Sequence, residues 1–167
     1  LVEKLGLPLL KLVDTPGFMV GPEAEAEGLV RQAGRMFAAG AVLTVPQFTV
    51  MVRRAYGLGA LAMVFGNAHE QVMTVAWPTG HFGKMGLEGQ VRLAYRKELE
   101  ALPDEAARDA KLREMVATLH EQGNPINAAA YLSIDEVIDP LDTRDWLLAA
   151  VELARAQDRE QEPTWDR

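Results

Sequence analysis

Cysteine is absent from this chain of 167 residues, and serine and histidine are scarce. Without cysteine there is no disulfide, thiolate zinc site or cysteine nucleophile, which fits the cytoplasmic location that we expect. The one serine, Ser133, lacks the Gly-x-Ser-x-Gly surroundings of a hydrolase nucleophile. His69, His81 and His120 are too widely spaced for a metal-ligand motif, so we expect no metal site. His81 follows a Trp-Pro-Thr loop and is placed to face a ligand, although a loop histidine without a role is the simpler interpretation.

Positive charge and long apolar runs are also in short supply. The 17 Lys and Arg residues are outnumbered by 24 Asp and Glu residues, which gives a net charge of −7. Phosphate contacts need clustered Lys and Arg, so we expect no nucleic-acid partner. No apolar run approaches the ~20 residues that span a bilayer, so we expect no membrane partner. The chain begins at Leu1 rather than Met, and we expect a domain cut from a longer polypeptide.

Apolar residues make up 49% of the chain, enough for one globular domain with a packed core. We place this domain at residues 1–157 and a polar tail at residues 158–167. In the first half, apolar strand-like runs alternate with helical patterns, which predicts an α/β fold with parallel strands. The predicted elements are a buried strand Leu7–Val13, a helix Glu23–Val42, a strand Val45–Val52, a short helix Ala60–Phe65 and a strand Gln71–Ala76.

The second half is mostly helical. Residues Leu87–His120 have helical character, with a break and a new helix start at Pro103-Asp104. Gly123-Asn124-Pro125 ends this region, Ile134–Ile138 is a short strand or a turn, and Asp142–Ala156 is a closing helix.

A backbone site is left when side-chain chemistry has been excluded. The loop Gly57–Ala60 lies between a predicted strand and a helix start, where free N–H groups and the helix dipole favour an oxyanion. Glycine also allows a ligand to approach closely. Two nearby glycines are weak evidence by themselves, because a tight turn requires them as well.

Several short motifs follow one another in a fixed order along the chain. They are Val13-Asp14-Thr15-Pro16-Gly17-Phe18, Gly28-Leu29-Val30-Arg31, Arg53-Arg54-Ala55-Tyr56-Gly57, Ala76-Trp77-Pro78-Thr79, Asn124-Pro125 and Val137-Ile138-Asp139-Pro140. This ordered set resembles the C-terminal half of the carboxyltransferase (beta) subunit of biotin-dependent acyl-CoA carboxylases, of the acetyl- and propionyl-CoA carboxylase type. The resemblance covers most of the chain, from about Leu7 to Ala154.

The resemblance implies a fold, an activity and partners. The fold is the crotonase-like (ClpP/crotonase) ββα-superhelix. The activity moves a carboxyl group from carboxybiotin, carried by a separate protein, to the α-carbon of a short acyl-CoA. The implied partners are an N-terminal carboxyltransferase domain, a biotin carboxylase or biotin carrier subunit, and further copies in a homo-oligomer. Because the family's sites form between subunits, we expect this chain alone to be inactive.

The resemblance also implies roles for residues of the glycine loop. The backbone N–H groups of Leu58 and Gly59 would form an oxyanion hole for the biotin enolate, with Gly57 and Ala60 completing the loop. Leu61 aligns near a position that lines the acyl pocket. Phe18, Trp77 and Pro78 would line the biotin side, with core or loop packing as the equally weighted alternative.

Several departures from the family pattern leave the acyl substrate open, and three alternative functions stand beside the carboxyltransferase interpretation. The chain has Gly57-Leu58-Gly59-Ala60 where many carboxylases have Gly-Gly-Ala-Tyr, and Gln32-Ala33-Gly34 where many have His-Gly-Ala. A biotin-linked decarboxylase and a crotonase-type hydratase are the alternative enzymes. A non-catalytic assembly domain is the third alternative, with the apolar stretches Ala38–Val52 and Ala55–Phe65 at a subunit interface.

Overall fold

The computed structural model describes residues 1–65 and 71–161, with side chains up to Ala156, so His69 lies outside the described residues. The strands are β1 Leu9–Thr15, β2 Gln47–Tyr56, β3 Met73–Ala76, β4 His81–Gly83 and β5 Glu136–Val137. The helices are α1 Val2–Leu5, α2 Pro22–Ala26, α3 Leu29–Gly40, α4 Gly57–Met63, α5 Leu87–Ala94, α6 Arg96–Glu100, α7 Glu105–Gln122, α8 Pro125–Ala130 and α9 Thr143–Gln161, and a 3₁₀ turn covers Pro140–Asp142. Among the described helices, none is both long and apolar enough to cross a bilayer.

All strand pairs are parallel, as predicted, and the sheet order is β1-β2-β3-β5 with β4 also paired to β2. The long strand β2 has two successive neighbours on the same side. Its segment Phe48–Met51 pairs with β3, and its segment Arg54–Tyr56 pairs with β4. The carboxyl ends of β1, β2 and β4 therefore reach the same edge of the sheet, where ligand sites of open parallel sheets lie.

Alternating side chains give the sheet two packed faces. One face is covered by α9, and its buried residues are Phe48, Val50, Met73, Val75, Ile138, Ala150 and Ala154. The other face is covered by α4 and α8, and its buried residues are Val13, Met51, Ala55, Ala60, Val64, Ala76, Ala128 and Ile134. A smaller cluster holds α5, α6 and α7 together through Val91, Leu99 and Leu112.

A bulge in β2 separates its two pairing segments. Val13 pairs with Met51, but Thr15 pairs with Ala55, so three β2 residues lie opposite the single residue Asp14. The Asp14 carboxylate accepts hydrogen bonds from Arg53 Nη2 at 2.7 Å and from Arg54 Nε at 3.0 Å. It also accepts one from the Arg54 backbone N–H at 3.2 Å, so one side chain holds two of the three bulge residues.

The first predicted strand is present, but the prediction that it is buried is wrong. β1 is an edge strand, and the side chains of Leu10 and Leu12 are 43% and 56% exposed. The other face of β1 is buried and contains a lysine. Lys11 Nζ donates to Gln47 Oε1 at 2.9 Å and lies 4.6 Å from the ring centre of Phe65. The apolar run therefore predicted the strand correctly, but only one of the two faces of that strand is buried.

Other element boundaries also differ from the predictions. The predicted helix Glu23–Val42 is two helices, because Gly28 adopts a φ of 72° between them. The strand expected to end at Val52 continues to Tyr56, and the helix expected from Ala60 begins at Gly57. The strand β4 and the helix α8 were not predicted. Pro125, interpreted as a stop, is the first residue of α8, where proline is tolerated.

In the helical second half, the predicted break and new helix start at Pro103-Asp104 are present. α7 begins after Asp104, whose carboxylate accepts a hydrogen bond from the Ala107 N–H at 2.7 Å. Its packed face holds Leu112, Met115, Val116 and Leu119. The closing helix extends beyond the predicted Ala156 to Gln161, and residues 162–167 lie outside the described residues. The boundary after residue 157 stays a prediction.

Candidate functional site

Three segments meet at the carboxyl edge of the sheet: Thr15–Gly17 at the end of β1, Gly57–Gly59 in the first turn of α4, which we call the glycine loop, and Gly83-Lys84 at the end of β4. Their contact distances leave no room for side chains. A Cβ on Gly59 would lie 2.8 Å from Thr15 Cγ2 and 2.8 Å from the Gly17 carbonyl carbon. A Cβ on Gly57 would lie 2.5 Å from the Lys84 carbonyl oxygen, and Gly57 has a φ of +54°. The glycines are therefore required for these loops to approach one another.

The predicted donor groups lie in the first turn of α4. Tyr56 is the N-cap residue, and Leu58 and Gly59 follow Gly57 as the second and third helical residues. N–H groups in the first turn of a helix have no acceptor within that helix. The strand-to-helix transition expected from the glycine pair is thus present at these residues.

The other predicted site residues are distributed over several surfaces. The Leu58 and Leu61 side chains are 62% and 44% exposed beside the glycine loop, whereas Ala60 is buried in the core below it. Phe18 is half-buried and follows the first loop directly, and Pro78 is exposed.

Trp77 lies apart from α4. It packs in the cluster on the α9 face of the sheet, whereas α4 covers the opposite face. Its Nε1 donates to Thr143 Oγ1 at 2.9 Å. These contacts agree with the packing alternative, and a role for Trp77 toward biotin stays a prediction.

Asp14 is a fixed anion directly before the first loop. The guanidinium groups of Arg53 and Arg54 hold the pKa of this carboxyl well below its usual range. A carboxylate with such a low pKa is a poor proton acceptor at neutral pH. Its function is to secure the β2 bulge, and the sequence motifs indicated the three residues without indicating this ion pair.

A polar contact behind the glycine loop was missed by the sequence analysis. His81 is 6% exposed on β4, and its Nδ1 lies 2.8 Å from Tyr56 Oη. Its Nε2 lies 3.0 Å from the backbone oxygen of His120. Burial lowers the pKa of His81 and raises that of Tyr56, so the imidazole is neutral and the phenol protonated at neutral pH. His81 is therefore a buried strand residue rather than the expected loop residue.

Within residues 1–65 and 71–161, no group of three or more His, Asp or Glu side chains is arranged to hold a metal ion. The chemistry that the loops offer is hydrogen-bond donation from backbone N–H groups. Such donors stabilise negative charge that develops on a bound oxygen atom.

Comparison with known proteins shows which family this chain belongs to. The model of the carboxyl transferase domain family matches residues 1–167. The propionyl-CoA carboxylase carboxyltransferase subunit of Haloferax mediterranei is 35% identical over 160 residues, which cover 95% of this chain and 30% of that subunit. This chain thus spans about 30% of the length of that curated relative.

Two solved structures share the fold. A single-chain, multi-domain long-chain acyl-CoA carboxylase aligns with a TM-score of 0.78 at 46% identity, covering 89% of this chain and 14% of that one. The transcarboxylase 12S hexamer, with methylmalonyl-CoA and methylmalonic acid bound, aligns with a TM-score of 0.79 at 35% identity, covering 93% of this chain and 29% of that one. The predicted crotonase-like α/β fold is confirmed. This chain belongs to the carboxyl transferase domain family.

Proposed function

We propose that this chain is the C-terminal domain of a biotin-dependent acyl-CoA carboxyltransferase. In this proposal a carboxyl group moves from carboxybiotin to the α-carbon of a short acyl-CoA. The observation that carries it is the meeting of three strand-end loops at the first turn of α4, with glycines where a Cβ would clash. Membership of the family and the names of the relatives support the same activity.

The residues at this edge fit the carried group. Gly59 packs closely against Thr15 and Gly17, where a Cβ would clash, so the first turn of α4 is held at the sheet edge with the exposed apolar side chains of Leu58 and Leu61 on either side of it in sequence. Carboxybiotin supplies the carboxyl group and, after losing CO2, the base that accepts the α-proton. The N–H groups of Leu58 and Gly59 would donate hydrogen bonds to the oxygen that gains negative charge in that step. Asp14 stays paired with Arg53 and Arg54 and needs no part in proton transfer.

The remaining site residues take supporting roles in the proposal. Leu61 would line the acyl pocket, because its exposed apolar side chain suits an apolar acyl group. Gly57 and Ala60 shape the loop, and Phe18 and Pro78 would border the biotin side. Trp77 is the weakest member of this set, since it packs toward α9.

The rest of the site would come from other parts of the assembly. The partners that we propose are an N-terminal carboxyltransferase domain, a biotin carrier with its biotin carboxylase, and further copies of the chain. The relative from Haloferax mediterranei is a carboxylase subunit, and the transcarboxylase 12S protein is a hexamer, which supports a homo-oligomer here. A cytoplasmic location belongs to the same proposal.

Carboxyl transfer by the full-length parent protein tests the proposal. The protein is supplied with a carboxylated biotin carrier and either acetyl-CoA or propionyl-CoA. In Leu58→Pro, the proline removes one N–H donor in the first helical turn, where proline is tolerated, while Leu58→Ala keeps the donor. We expect kcat to fall about a hundredfold in Leu58→Pro, as for other oxyanion donors, and to change little in Leu58→Ala.

Gly59→Pro removes the second N–H but also adds a Cβ that presses on Thr15 and Gly17, so Gly59→Ala, which adds the Cβ and keeps the N–H, is its control. Circular dichroism and thermal unfolding establish that each variant is folded. Full turnover by folded Leu58→Pro and Gly59→Pro would reject the oxyanion role. If the folded wild-type protein carboxylates neither acyl-CoA but decarboxylates malonyl-CoA or methylmalonyl-CoA, the decarboxylase alternative replaces this proposal. Inactivity toward all of these compounds would favour the assembly alternative.

A further inference from the structure

The Tyr56–His81 contact lies directly behind the glycine loop. Tyr56 is the last residue of β2 and immediately precedes Gly57. In the pairing of β2 with β4, Arg54 lies opposite His81 and Tyr56 lies opposite Gly83. The side-chain hydrogen bond between Tyr56 and His81 thus adds a second connection where β2 ends and the loop begins.

The hydrogen bonds of His81 define one tautomer. The His120 carbonyl oxygen can only accept, so His81 Nε2 carries the proton and donates to it at 3.0 Å. The neutral ring then has a bare Nδ1, which accepts the hydrogen of Tyr56 Oη at 2.8 Å. Both ring nitrogens are therefore satisfied, which a buried imidazole requires.

The same imidazole connects the loop to the end of α7. The rings of His81 and His120 are stacked with their centres 4.5 Å apart. A Cβ on Gly123 would lie 2.6 Å from His81 Cε1, so the α7 C-terminus presses against this ring. The Phe82 N–H also donates to the Gly123 carbonyl at 2.8 Å. Movement of Tyr56 would consequently disturb His81 and, through it, the packing of the end of α7 against β4.

We propose that Tyr56 and His81 are positioning residues for carboxyl transfer. The hydrogen bond between the Tyr56 and His81 side chains holds the end of β2 in place, and with it the N–H groups of Leu58 and Gly59. This inference rests on the proposed function. Neither side chain needs to touch the substrate. Their role is to fix the residue that caps α4, and a small displacement of backbone donors lowers the rate of the step that they stabilise.

Removal of either partner should lower kcat without changing the KM for acyl-CoA. Tyr56→Phe keeps the ring and leaves Nδ1 of His81 without its donor. His81→Gln can place its amide nitrogen at the Nε2 position and still donate to the His120 carbonyl, but its amide oxygen then lies away from the Nδ1 position that accepts from Tyr56. We expect about a tenfold lower kcat in each variant of the full-length parent, and a similar value in the double variant, because both remove the same hydrogen bond.

The pH profile gives a readout that general loss of packing does not. The titratable groups that face His81 are Tyr56 from β2 and His120 from α7, and α8 carries no ionisable side chain. Arg54, opposite His81 on β2, is paired with Asp14. A proton added to His81 Nδ1 would reverse this hydrogen bond, so that the imidazolium donates to Tyr56 Oη and the hydrogen of the buried Tyr56 hydroxyl loses its acceptor. Wild-type kcat should therefore fall on the acid side. His81→Gln should lack that acid limb.

Tyr131→Phe is the matched control, because Tyr131 is 84% exposed at the end of α8 and should keep wild-type kcat. Wild-type kcat and an unchanged acid limb in folded Tyr56→Phe and His81→Gln would overturn the inference alone. A folded wild-type protein without any transfer would instead contradict the proposed function. The imidazole ¹⁵N spectrum, which needs no turnover, then decides: an Nε2–H tautomer of His81 whose Nδ1 resonance shifts in Tyr56→Phe supports the fixed contact, whereas an Nδ1–H tautomer, or an Nδ1 resonance that is the same in Tyr56→Phe, rejects it.

Discussion

Lys11 is a charged residue that the fold has placed inside. Its side chain is 6% exposed, and the ring of Phe65 and the amide of Gln47 are its recorded partners among the described residues. Burial lowers the pKa of Lys11 from its ordinary 10.5 to about 8. No carboxylate among these partners compensates the charge, so the folded state carries a cost that the unfolded chain does not.

Replacement of Lys11 by methionine should therefore stabilise the protein at neutral pH. Between about pH 8 and 10.5 the unfolded chain binds more protons than the folded chain, so wild-type stability rises with pH in that window. We expect Lys11→Met to gain about 1–2 kcal/mol at pH 7, and this gain to shrink as the pH rises from 8 to 10.5. Urea unfolding at several pH values measures it.

Lys4→Met is the control for the pH series, because Lys4 is exposed in α1. A gain of the same size in Lys4→Met, or a Lys11→Met gain that is constant from pH 7 to 10.5, would contradict the cost assigned to the buried amine.

At the scale of elements, the β2 bulge decides where the functional loop begins. It lets β2 leave β3 after Met51 and pair with β4 from Arg54, so that the strand reaches Tyr56 and the glycine loop. Two of the three residues of the bulge, Arg53 and Arg54, are held by the Asp14 carboxylate on the neighbouring strand. The bulge and its ion pairs are thus one unit.

Asp14→Asn should loosen this unit, since the amide retains part of the hydrogen bonding and loses the charge. The pKa of Asp14 is held below its ordinary 3.8 by Arg53 and Arg54, so its stabilisation is complete above that value and is lost as the pH falls below it. These side chains are partly solvated, and we expect the Tm at pH 7 to fall by only about 2–4 °C. Thermal unfolding from pH 2 to 7 measures the difference.

Asp109→Asn serves as the control, because Asp109 is an exposed residue of α7. The wild-type and Asp14→Asn curves should converge below pH 4, while Asp109→Asn should follow the wild-type protein throughout. A Tm difference that is as large at pH 2 as at pH 7 would exclude the charge of Asp14 as its cause.

The elements differ in how far local patterns could predict them. The break before α7 was predictable because Pro103-Asp104 is a local signal and Asp104 caps the helix. The split at Gly28 was not, because a single glycine within a helical pattern is tolerated and its φ of 72° cannot be read from the sequence. β4 has only the three residues His81–Gly83, too few for an alternating pattern, and it exists because β2 offers a free segment beyond its bulge.

The candidate site was also predictable only where a local sequence pattern defines it. The glycines of the loop and the strand-to-helix transition follow from local sequence, since Gly57 and Gly59 allow conformations and contacts that other residues do not. The Tyr56–His81 hydrogen bond joins residues 25 positions apart. It depends on the pairing of β2 with β4, and no local pattern contains that information.

At the scale of the whole molecule, the loop edge is open. Leu58 and Leu61 present apolar side chains to solvent next to the proposed oxyanion hole, where a reaction that needs exclusion of water would be poorly protected. The chain spans 30% of the length of its Haloferax mediterranei relative. In the proposed enzyme, the missing cover comes from the other carboxyltransferase domain.

The chain alone should therefore transfer no carboxyl group from a carboxylated biotin carrier to propionyl-CoA. The full-length parent should transfer it under the same conditions, at a rate at least a hundredfold higher. Loss of part of an active site produces a rate difference of this size, which corresponds to on the order of 3 kcal/mol of activation free energy. The measurement is ¹⁴C-carboxyl transfer at equal molar concentrations, with circular dichroism to establish that the shorter chain is folded. Equal rates would show that the site is complete within these 167 residues.

The edge position of β1 has a consequence for solubility. An edge strand presents unpaired N–H and C=O groups to which a strand of another molecule can add, and an inward-pointing charge is one of the features that discourage such growth. β1 carries exposed Leu10 and Leu12 on one face, which invite association, and Lys11 on the other. A strand of another molecule that paired with β1 would have to place its apolar face next to the ammonium group of Lys11. The residue that lowers the stability of the monomer thereby limits its aggregation.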